Sequence, residues 1–120
     1  MFIGLDLGTS GLKGILINDD QAVVTEASAP LTVQRPHPGW SEQNPADWIA
    51  AAETVLDALA VHGLSDVRGI GLSGQMHGAT LLDAADEVLR PAILWNDTRS
   101  HEEAHDLDGD PMFRRVSGNI

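Results

Sequence analysis

A short stretch near the amino terminus combines an acid, two hydroxyls and a base around paired glycines. The residues are, in order, Asp6, Gly8, Thr9, Ser10, Gly11 and Lys13. Glycines allow positive φ and close approach to a ligand, so backbone N–H groups, hydroxyls and an ammonium group can converge on an anion. A carboxylate beside that anion is repelled unless a cation lies between them, and Mg²⁺ held by a carboxylate, water and phosphate oxygens is the natural bridge. The stretch predicts a metal-phosphate site.

The same residues allow a second interpretation. A Walker A loop has the pattern G-x-x-x-x-G-K-[ST] between a strand and a helix, whereas apolar runs on both sides of this turn predict two strands. An ordinary hairpin with a solvated Asp6 and Lys13 would also explain the pattern. From this stretch alone, both interpretations stay open.

A second candidate site follows an apolar run further along the chain, at residues 73–78 with the sequence SGQMHG. Gln75 and His77 offer hydrogen-bond donors and acceptors suited to a polyol, and Met76 offers an apolar wall. Ligands of open α/β sheets bind where strands end. The alternative is a tight turn with a hydrogen-bonded histidine.

Three further aromatic or polar residues allow similar pairs of interpretations. Asn96 and Asp97 follow Trp95 at the end of an apolar run, where they could edge a sugar pocket or cap the next helix. Trp40 follows a loop stiffened by two prolines. Its indole could close over a sugar or nucleotide, or anchor that loop on the core.

The pattern of apolar residues predicts an α/β fold with a mixed sheet. Strands at 2–7, 12–17 and 22–28 form an antiparallel start, with 31–33 able to extend the third, and the first two are apolar enough for burial on both faces. A helix begins at Asn44 and Pro45 and ends near Gly63. Its apolar stripe comprises Trp48, Ile49, Ala52, Val55, Leu56 and Leu59. A strand at 67–72 completes a β-α-β unit and is expected to be parallel at the sheet centre.

The remaining sequence predicts smaller elements. Residues 79–83 and 87–89 suit a hairpin, and residues 98–107 suit a helix. On that helix His101 and His105 lie one turn apart, but the general-base context and third ligand of H-E-x-x-H are absent, so a charged surface helix is favoured over a metal site. Residues 112–120 show no evident terminating element.

Composition limits the classes of function. A chain of 120 residues suits one domain. The formal charge of −11 argues against nucleic acid and anionic membranes as partners, since both need a basic face. The absence of cysteine suits a reducing compartment. With neither a basic leader nor an apolar run near the ~20 residues that cross a bilayer, the sequence predicts a cytoplasmic protein.

Four collinear stretches carry a resemblance that covers nearly all of the chain. Residues 4–13 resemble the first phosphate motif of the actin, Hsp70 and sugar-kinase superfamily. Residues 71–78 and 90–99 are similar to the FGGY carbohydrate kinases and, within them, to the xylulose kinases, as are residues 35–43. The resemblance implies a ribonuclease-H-like domain.

The resemblance also implies an activity and site residues. Family members transfer the γ-phosphoryl group of ATP to the 5-hydroxyl of D-xylulose with Mg²⁺, in a cleft between two domains. Asp6 would be the catalytic and metal residue. The phosphate contacts would come from Gly8, Thr9, Ser10 and Lys13. The sugar contacts would come from Gln75, Met76, His77, Asn96 and Asp97.

Two hypotheses of different classes remain. In the first, residues 1–120 are the amino-terminal part of the first domain of such a kinase, whose second domain and catalytic aspartate lie outside this chain. In the second, the chain is a non-catalytic nucleotide- or sugar-binding module. Kinases of ribulose, gluconate and glycerol share the first motif, and a homodimer is compatible with the resemblance.

Overall fold

The chain folds as an α/β unit built on a mixed four-stranded sheet. The structure is a computed structural model that describes residues 1–118. The elements in chain order are β1 (Phe2–Leu7), β2 (Gly11–Ile17), β3 (Val23–Pro30), β4 (Glu42–Gln43), α1 (Pro45–Ala60), β5 (Ile70–Gly74), β6 (Ala92–Ile93), α2 (His101–Asp108) and α3 (Pro111–Ser117).

The main sheet has the order β3-β2-β1-β5. β1 pairs antiparallel with β2, which pairs antiparallel with β3, and β5 lies parallel to β1. The antiparallel start and the β-α-β unit are thus confirmed. In the described part of the chain, however, β5 is an edge strand and not central, and it begins three residues later than expected, at Ile70.

Helix α1 covers one face of this sheet. Asn44 caps it by accepting a hydrogen bond from the Ala46 N–H at 3.1 Å, and Pro45 occupies its first turn, as predicted. The core between helix and sheet consists of Ile3, Leu12, Leu16, Ala29, Ala51, Val55 and Leu59.

Two expectations about this packing are wrong. Ile49 lies outside the buried stripe and is 64% exposed, because the face that meets the sheet is set by Ala51, Val55 and Leu59. β1 and β2 are covered on one face, so Ile15 on the other face is exposed. In these two strands, a run of apolar residues does not mean that both faces of the strand are buried.

A second, two-stranded sheet lies outside the main one. β4 pairs antiparallel with β6, and Gln34 extends β4 by a bridge to Glu42. Residues 31–33 are not strand, so β3 ends at Pro30. Neither two-residue strand was predicted, since so short an element leaves no periodicity in the sequence.

The last forty residues differ from expectation mainly at their boundaries. The predicted hairpin forms as a short one, with an antiparallel bridge between Leu82 and Val88 and backbone bonds from the Asp83 N–H to the Glu87 carbonyl and from the Leu89 N–H to the Leu81 carbonyl. α2 begins at His101 rather than at residue 98, and its exposure confirms a surface helix. α3 occupies most of the stretch for which no element was predicted; residues 119 and 120 of that stretch lie outside the described residues. Across residues 1–118, the helices are too short or too polar to cross a membrane.

Candidate functional site

Asp6 lies next to a base and a hydroxyl on the uncovered face of the sheet. The strand register places it directly opposite Lys13 on β2 and opposite Ser73 on β5. Paired residues of neighbouring strands share a face, so the three side chains form a row. They line a depression of about 470 Å³ whose other walls are Gly4, Leu5, Ile15, Gly71 and Leu72. Asp6 is thus exposed at an open cleft.

The turn after β1 is closed by one backbone bond. The Gly8 N–H donates to the Gly11 carbonyl at 3.0 Å. These glycines would allow a positive φ, but neither adopts it. Gly11 is needed for close packing instead, since a Cβ there would lie 2.8 Å from the Ala29 carbonyl oxygen.

The hydroxyl groups of Thr9 and Ser10 have different surroundings. The Thr9 hydroxyl donates to Gln75 Oε1 at 2.9 Å and accepts from Trp95 Nε1 at 3.1 Å. Its single proton is therefore engaged and cannot serve a phosphate oxygen while these bonds hold. The Ser10 residue is exposed. Of the two hydroxyls expected at the anion, Ser10 is the one that faces solvent.

The segment after β5 meets the turn. Gln75 is half-buried, its N–H donates to the Leu7 carbonyl at 2.8 Å, and its side chain contacts Thr9. Met76 and His77 are exposed and, with Gln75 and Trp95, line a depression of about 320 Å³. His77 has φ of 62°, a left-handed conformation that non-glycine residues adopt uncommonly. Such strained residues concentrate at ligand sites.

Asp97 is occupied by protein partners. Its side chain, 2% exposed, accepts from Arg99 Nη2 at 2.6 Å and from the Ser41 N–H at 2.6 Å. Hydrogen bonding from Arg99 holds the pKa of Asp97 well below its usual range, against the opposing effect of burial, and the same bond raises the pKa of Arg99. Asp97 could contact a sugar directly after this pair opened.

Arg99 joins two loops around Asp97. It also pairs with Glu42 at 2.7 Å and stacks its guanidinium 3.6 Å from the centre of the Trp40 ring. Trp40 therefore anchors its loop, the more conservative of its two interpretations. Asp97 Oδ1 accepts from the Arg99 N–H at 2.9 Å, while the residue at the cap of α2 is Ser100. The helix-cap interpretation of Asp97 is wrong.

Asn96 has a buried side-chain oxygen, Oδ1, that lacks a hydrogen-bond partner. Buried polar atoms are normally satisfied, so this oxygen is a free acceptor beside Trp95.

Sequence reasoning missed Gln43, Trp48 and Arg99. Gln43 donates from Nε2 to the Thr9 carbonyl at 2.7 Å, and its Oε1 accepts from Trp48 Nε1 at 3.0 Å and from Gln75 Nε2 at 3.2 Å. Trp48 was assigned to the core but is half-buried and bonded to this network. A glutamine in a two-residue strand carries no local signal of burial, although two indoles near polar segments could have suggested donors in need of acceptors.

The donor set suits a metal that arrives with its own phosphate ligands. Within residues 1–118, no cluster of three or more acidic, histidine or cysteine side chains is placed to hold an ion. Mg²⁺, by contrast, is commonly bound by one or two carboxylates plus substrate phosphates and water. The exposed Asp6 carboxylate fits that role.

Comparison with known proteins identifies relatives over the whole chain. The FGGY family of carbohydrate kinases, N-terminal domain, matches residues 1–117. A Klebsiella pneumoniae protein named xylulose kinase is 53% identical over 122 residues, which cover 100% of this chain and 25% of that protein. The chain spans about a quarter of the length of such curated relatives.

Solved structures give the same picture. A structure described as a xyloylose kinase from Brucella ovis superimposes with a TM-score of 0.95 at 61% identity, covering 98% of this chain and 26% of that one. The xylulose kinase from Rhodospirillum rubrum has a TM-score of 0.82 at 41% identity, covering 88% of this chain and 22% of that one. The sugar-kinase fold expected from the sequence is confirmed.

Proposed function

Because the chain belongs to the FGGY family of carbohydrate kinases, we propose that it forms the amino-terminal part of an enzyme that phosphorylates D-xylulose at the expense of ATP. Support for the sugar comes from relatives named xylulose kinase at 53% and 52% identity over the full chain. Support for the reaction type comes from the family itself and from the geometry of the site.

One observation carries the proposal. The turn predicted to meet phosphate and the segment predicted to meet sugar are in contact, through the Thr9 hydroxyl and Gln75 Oε1 at 2.9 Å. Phosphoryl transfer depends mainly on bringing donor and acceptor together and on stabilising charge. Two sites that were separate in the sequence are adjacent in space, as this reaction requires.

The residues would divide the work as follows. Asp6 would hold the magnesium ion, which when bound neutralises charge on the phosphates. Lys13 would add a positive charge to the same open face, and Ser10 would contact phosphate oxygens. Gly8, whose N–H donates to the Gly11 carbonyl, would allow the phosphate to approach the turn closely because it has no side chain. Thr9 would hold the turn in place through its two side-chain bonds rather than contact phosphate directly.

On the sugar side, Gln75, Met76 and His77 would form the floor of the pocket. Asn96 would contribute its unpartnered acceptor to a sugar hydroxyl in a state that exposes this buried oxygen. Asp97 would hold the loop that carries Trp95 and Asn96, through its bonds to Arg99 and Ser41. We retain Asp97 as a sugar contact for a state in which that pair has opened.

The test is an activity panel on the longest natural protein that carries this sequence. Formation of ADP is measured with Mg²⁺, ATP and, in turn, D-xylulose, D-ribulose, D-gluconate and glycerol. We expect kcat/KM to be highest for D-xylulose. A higher value for another substrate would reassign the sugar, and the absence of turnover with all four would favour a non-catalytic binding module.

A further inference from the structure

Gln43 is a deeply buried polar side chain next to the candidate site. The residue is 1% exposed and lies in β4, between the turn after β1 and the start of α1. Its side chain makes three hydrogen bonds, to the Thr9 carbonyl, to Trp48 Nε1 and to Gln75 Nε2. Leaving a buried polar group unpaired costs about 1–3 kcal/mol, so each of these bonds constrains the groups around it.

The orientation of the Gln43 amide follows from the chemistry of its partners. An indole N–H donates and cannot accept, so the amide atom 3.0 Å from Trp48 Nε1 must be the oxygen. The amide nitrogen then faces the Thr9 carbonyl, to which it donates. Trp48 thus sets which way Gln43 points.

A second indole fixes the rest of the network. Trp95 Nε1 donates to the Thr9 hydroxyl, which must then turn its own proton to Gln75 Oε1. The Gln75 amide consequently presents its nitrogen to Gln43 Oε1. Thr9, Gln75 and Gln43 form a closed cycle in which each side chain donates once to the next residue, and Gln43 closes it at the Thr9 backbone carbonyl. Trp95 donates to Thr9 and Trp48 donates to Gln43.

This cycle connects two places that the proposed reaction must hold in register. We propose that Gln43 is a positioning residue, which fixes the turn at residues 8–11 relative to the segment at residues 73–78. The inference rests on the proposed function for its kinetic consequence, but the mechanical coupling exists independently of any substrate. Because Gln43 is buried, it cannot contact a ligand at either predicted site. It acts instead through its hydrogen bonds to Thr9 and Gln75.

The coupling is tested by the side-chain N–H signals of the two indoles in ¹⁵N-tryptophan-labelled protein, assigned with Trp48→Phe and Trp95→Phe. Gln43→Met keeps the length of the side chain and removes all three bonds. We expect the Trp48 signal to shift and to exchange faster with water. The Trp95 signal should also shift, although Trp95 bonds to Thr9 and not to Gln43. A Trp95 signal that stays unchanged would overturn the proposal.

Gln34→Met is the matched control. Gln34 is exposed and lies just before the loop of residues 35–40, whereas Gln43 lies just after that loop. Gln34→Met should leave both indole signals in place. If Gln43→Met fails to fold, Gln43→Glu replaces it, since an ionised carboxylate still accepts from Trp48 and Gln75 but cannot donate to the Thr9 carbonyl. Gln43→Glu should preserve the Trp48 signal and shift that of Trp95; an unshifted Trp95 signal would contradict the coupling.

The kinetic test uses the longest natural protein with this sequence, with rates divided by the folded fraction from circular dichroism. Misplacement by about 1 Å can cost about 100-fold in rate, and we expect Gln43→Met to lower kcat about 10- to 100-fold. KM for sugar and for ATP should change less than about threefold, because each site keeps its own contacts. An unchanged kcat, or a change confined to KM, would overturn the positioning role.

The two proposals fail in different ways. If the unsubstituted protein phosphorylates none of the sugars tested, the proposed function fails, while the indole signals still decide whether Gln43 couples the two segments. If the unsubstituted protein is active but the indole signals are independent, the coupling alone fails.

Discussion

At the scale of single residues, Asp6 and His77 represent the two halves of the candidate site. Asp6 lies on the open face of the sheet, in register with Lys13 and Ser73. His77 lies in the exposed segment after β5 with a left-handed backbone. The charge of Asp6 suits a metal and phosphates, whereas the ring nitrogens of His77 suit hydroxyl groups, so their substitution should affect different kinetic constants.

We expect Asp6→Ala, in the longest natural protein, to lower kcat for xylulose phosphorylation by about 100-fold or more, since electrostatic stabilisation of charge by one group is commonly worth that much. His77→Ala should instead raise KM for the sugar about tenfold, with a smaller change in kcat. ADP release in a coupled assay measures both. Asp57→Ala, on the exposed side of α1, is the control; small and equal effects from both site variants would contradict these roles.

Asp97 leads to a prediction about pH. Its pKa is lowered in the folded protein by hydrogen bonding from Arg99, so its contribution to stability is present above the unfolded value of about 4 and is lost as pH falls towards the folded value. We expect the urea midpoint to decline between about pH 4 and pH 2, and Asp97→Asn to flatten that decline. Urea titrations at several pH values measure it.

The exposed Asp57→Asn serves as the control and should keep the pH dependence of the unsubstituted protein. At pH 7 Asp97→Asn should lower the midpoint, because Arg99 would then keep Glu42 as its one acidic partner. A midpoint that declines equally steeply in Asp97→Asn would show that other carboxylates cause the acid sensitivity.

At the scale of secondary-structure elements, the packing of α1 on β2 depends on a missing side chain. A Cβ at Gly14 would lie 2.3 Å from Val55 Cγ1 and 3.3 Å from Leu59 Cδ1, both in the core. The helix could not accept an alanine there without moving. This close approach sets the distance between α1 and the two strands that carry Asp6 and flank the turn with Thr9.

We expect Gly14→Ala to lower the free energy of unfolding by about 1–3 kcal/mol, as overpacking of a core commonly does. Gly71→Ala is the matched control: it lies in β5, and the nearest atom to its Cβ would be the Ile3 carbonyl oxygen at 3.9 Å, an ordinary contact. Urea unfolding of both variants measures the difference. Equal stability of the two would show that α1 adjusts without cost.

The contrast between α1 and β4 shows how much the sequence could predict. The start of α1 was predicted because Asn44 and Pro45 act locally, through a cap and a missing N–H. The exposure of Ile49 was not, because which part of an apolar stripe meets the sheet depends on where the strands lie. β4 holds Gln43 through a pairing with β6, about fifty residues away, and so distant a contact leaves no local pattern.

The candidate site divides in the same way. Residue types near Asp6 and Gln75 predicted two polar sites, and chemistry alone suggested what each could bind. That the Thr9 hydroxyl would be engaged by Gln75 and Trp95 could not be predicted, since three separate segments must first be placed. Gly8 and Gly11 do not adopt the positive φ that they would allow, whereas His77 does, because glycine permits this conformation without requiring it.

At the scale of the whole molecule, the sheet leaves apolar surface uncovered. α1 packs against β2 and β3, so side chains of β5 remain in solvent: Ile70 is 55% and Leu72 is 80% exposed. Phe2 and Ile15, on the opposite face of the sheet, are more than a third exposed as well. Exposed apolar surface on a soluble domain commonly marks a place where further protein packs.

A protein that consists of residues 1–120 alone should therefore differ from a longer natural protein with the same sequence. The longer relatives are about four times its length, and we expect the adenine pocket and the base for the sugar hydroxyl to lie in the additional part of such a protein. We expect the short protein to show no xylulose-dependent ATP consumption, because positioning of phosphate without a base does not complete the transfer. It should also bind more of a hydrophobic dye such as ANS per mole.

Both properties are measured side by side on the two proteins at equal molar concentration, with circular dichroism to confirm that residues 1–120 are folded. Ile70→Lys together with Leu72→Thr should reduce dye binding by the short protein while leaving its fold in place, since both side chains lie in solvent. Xylulose-dependent turnover by the short protein would contradict this account. It would place a complete transfer site within four strands and one covering helix.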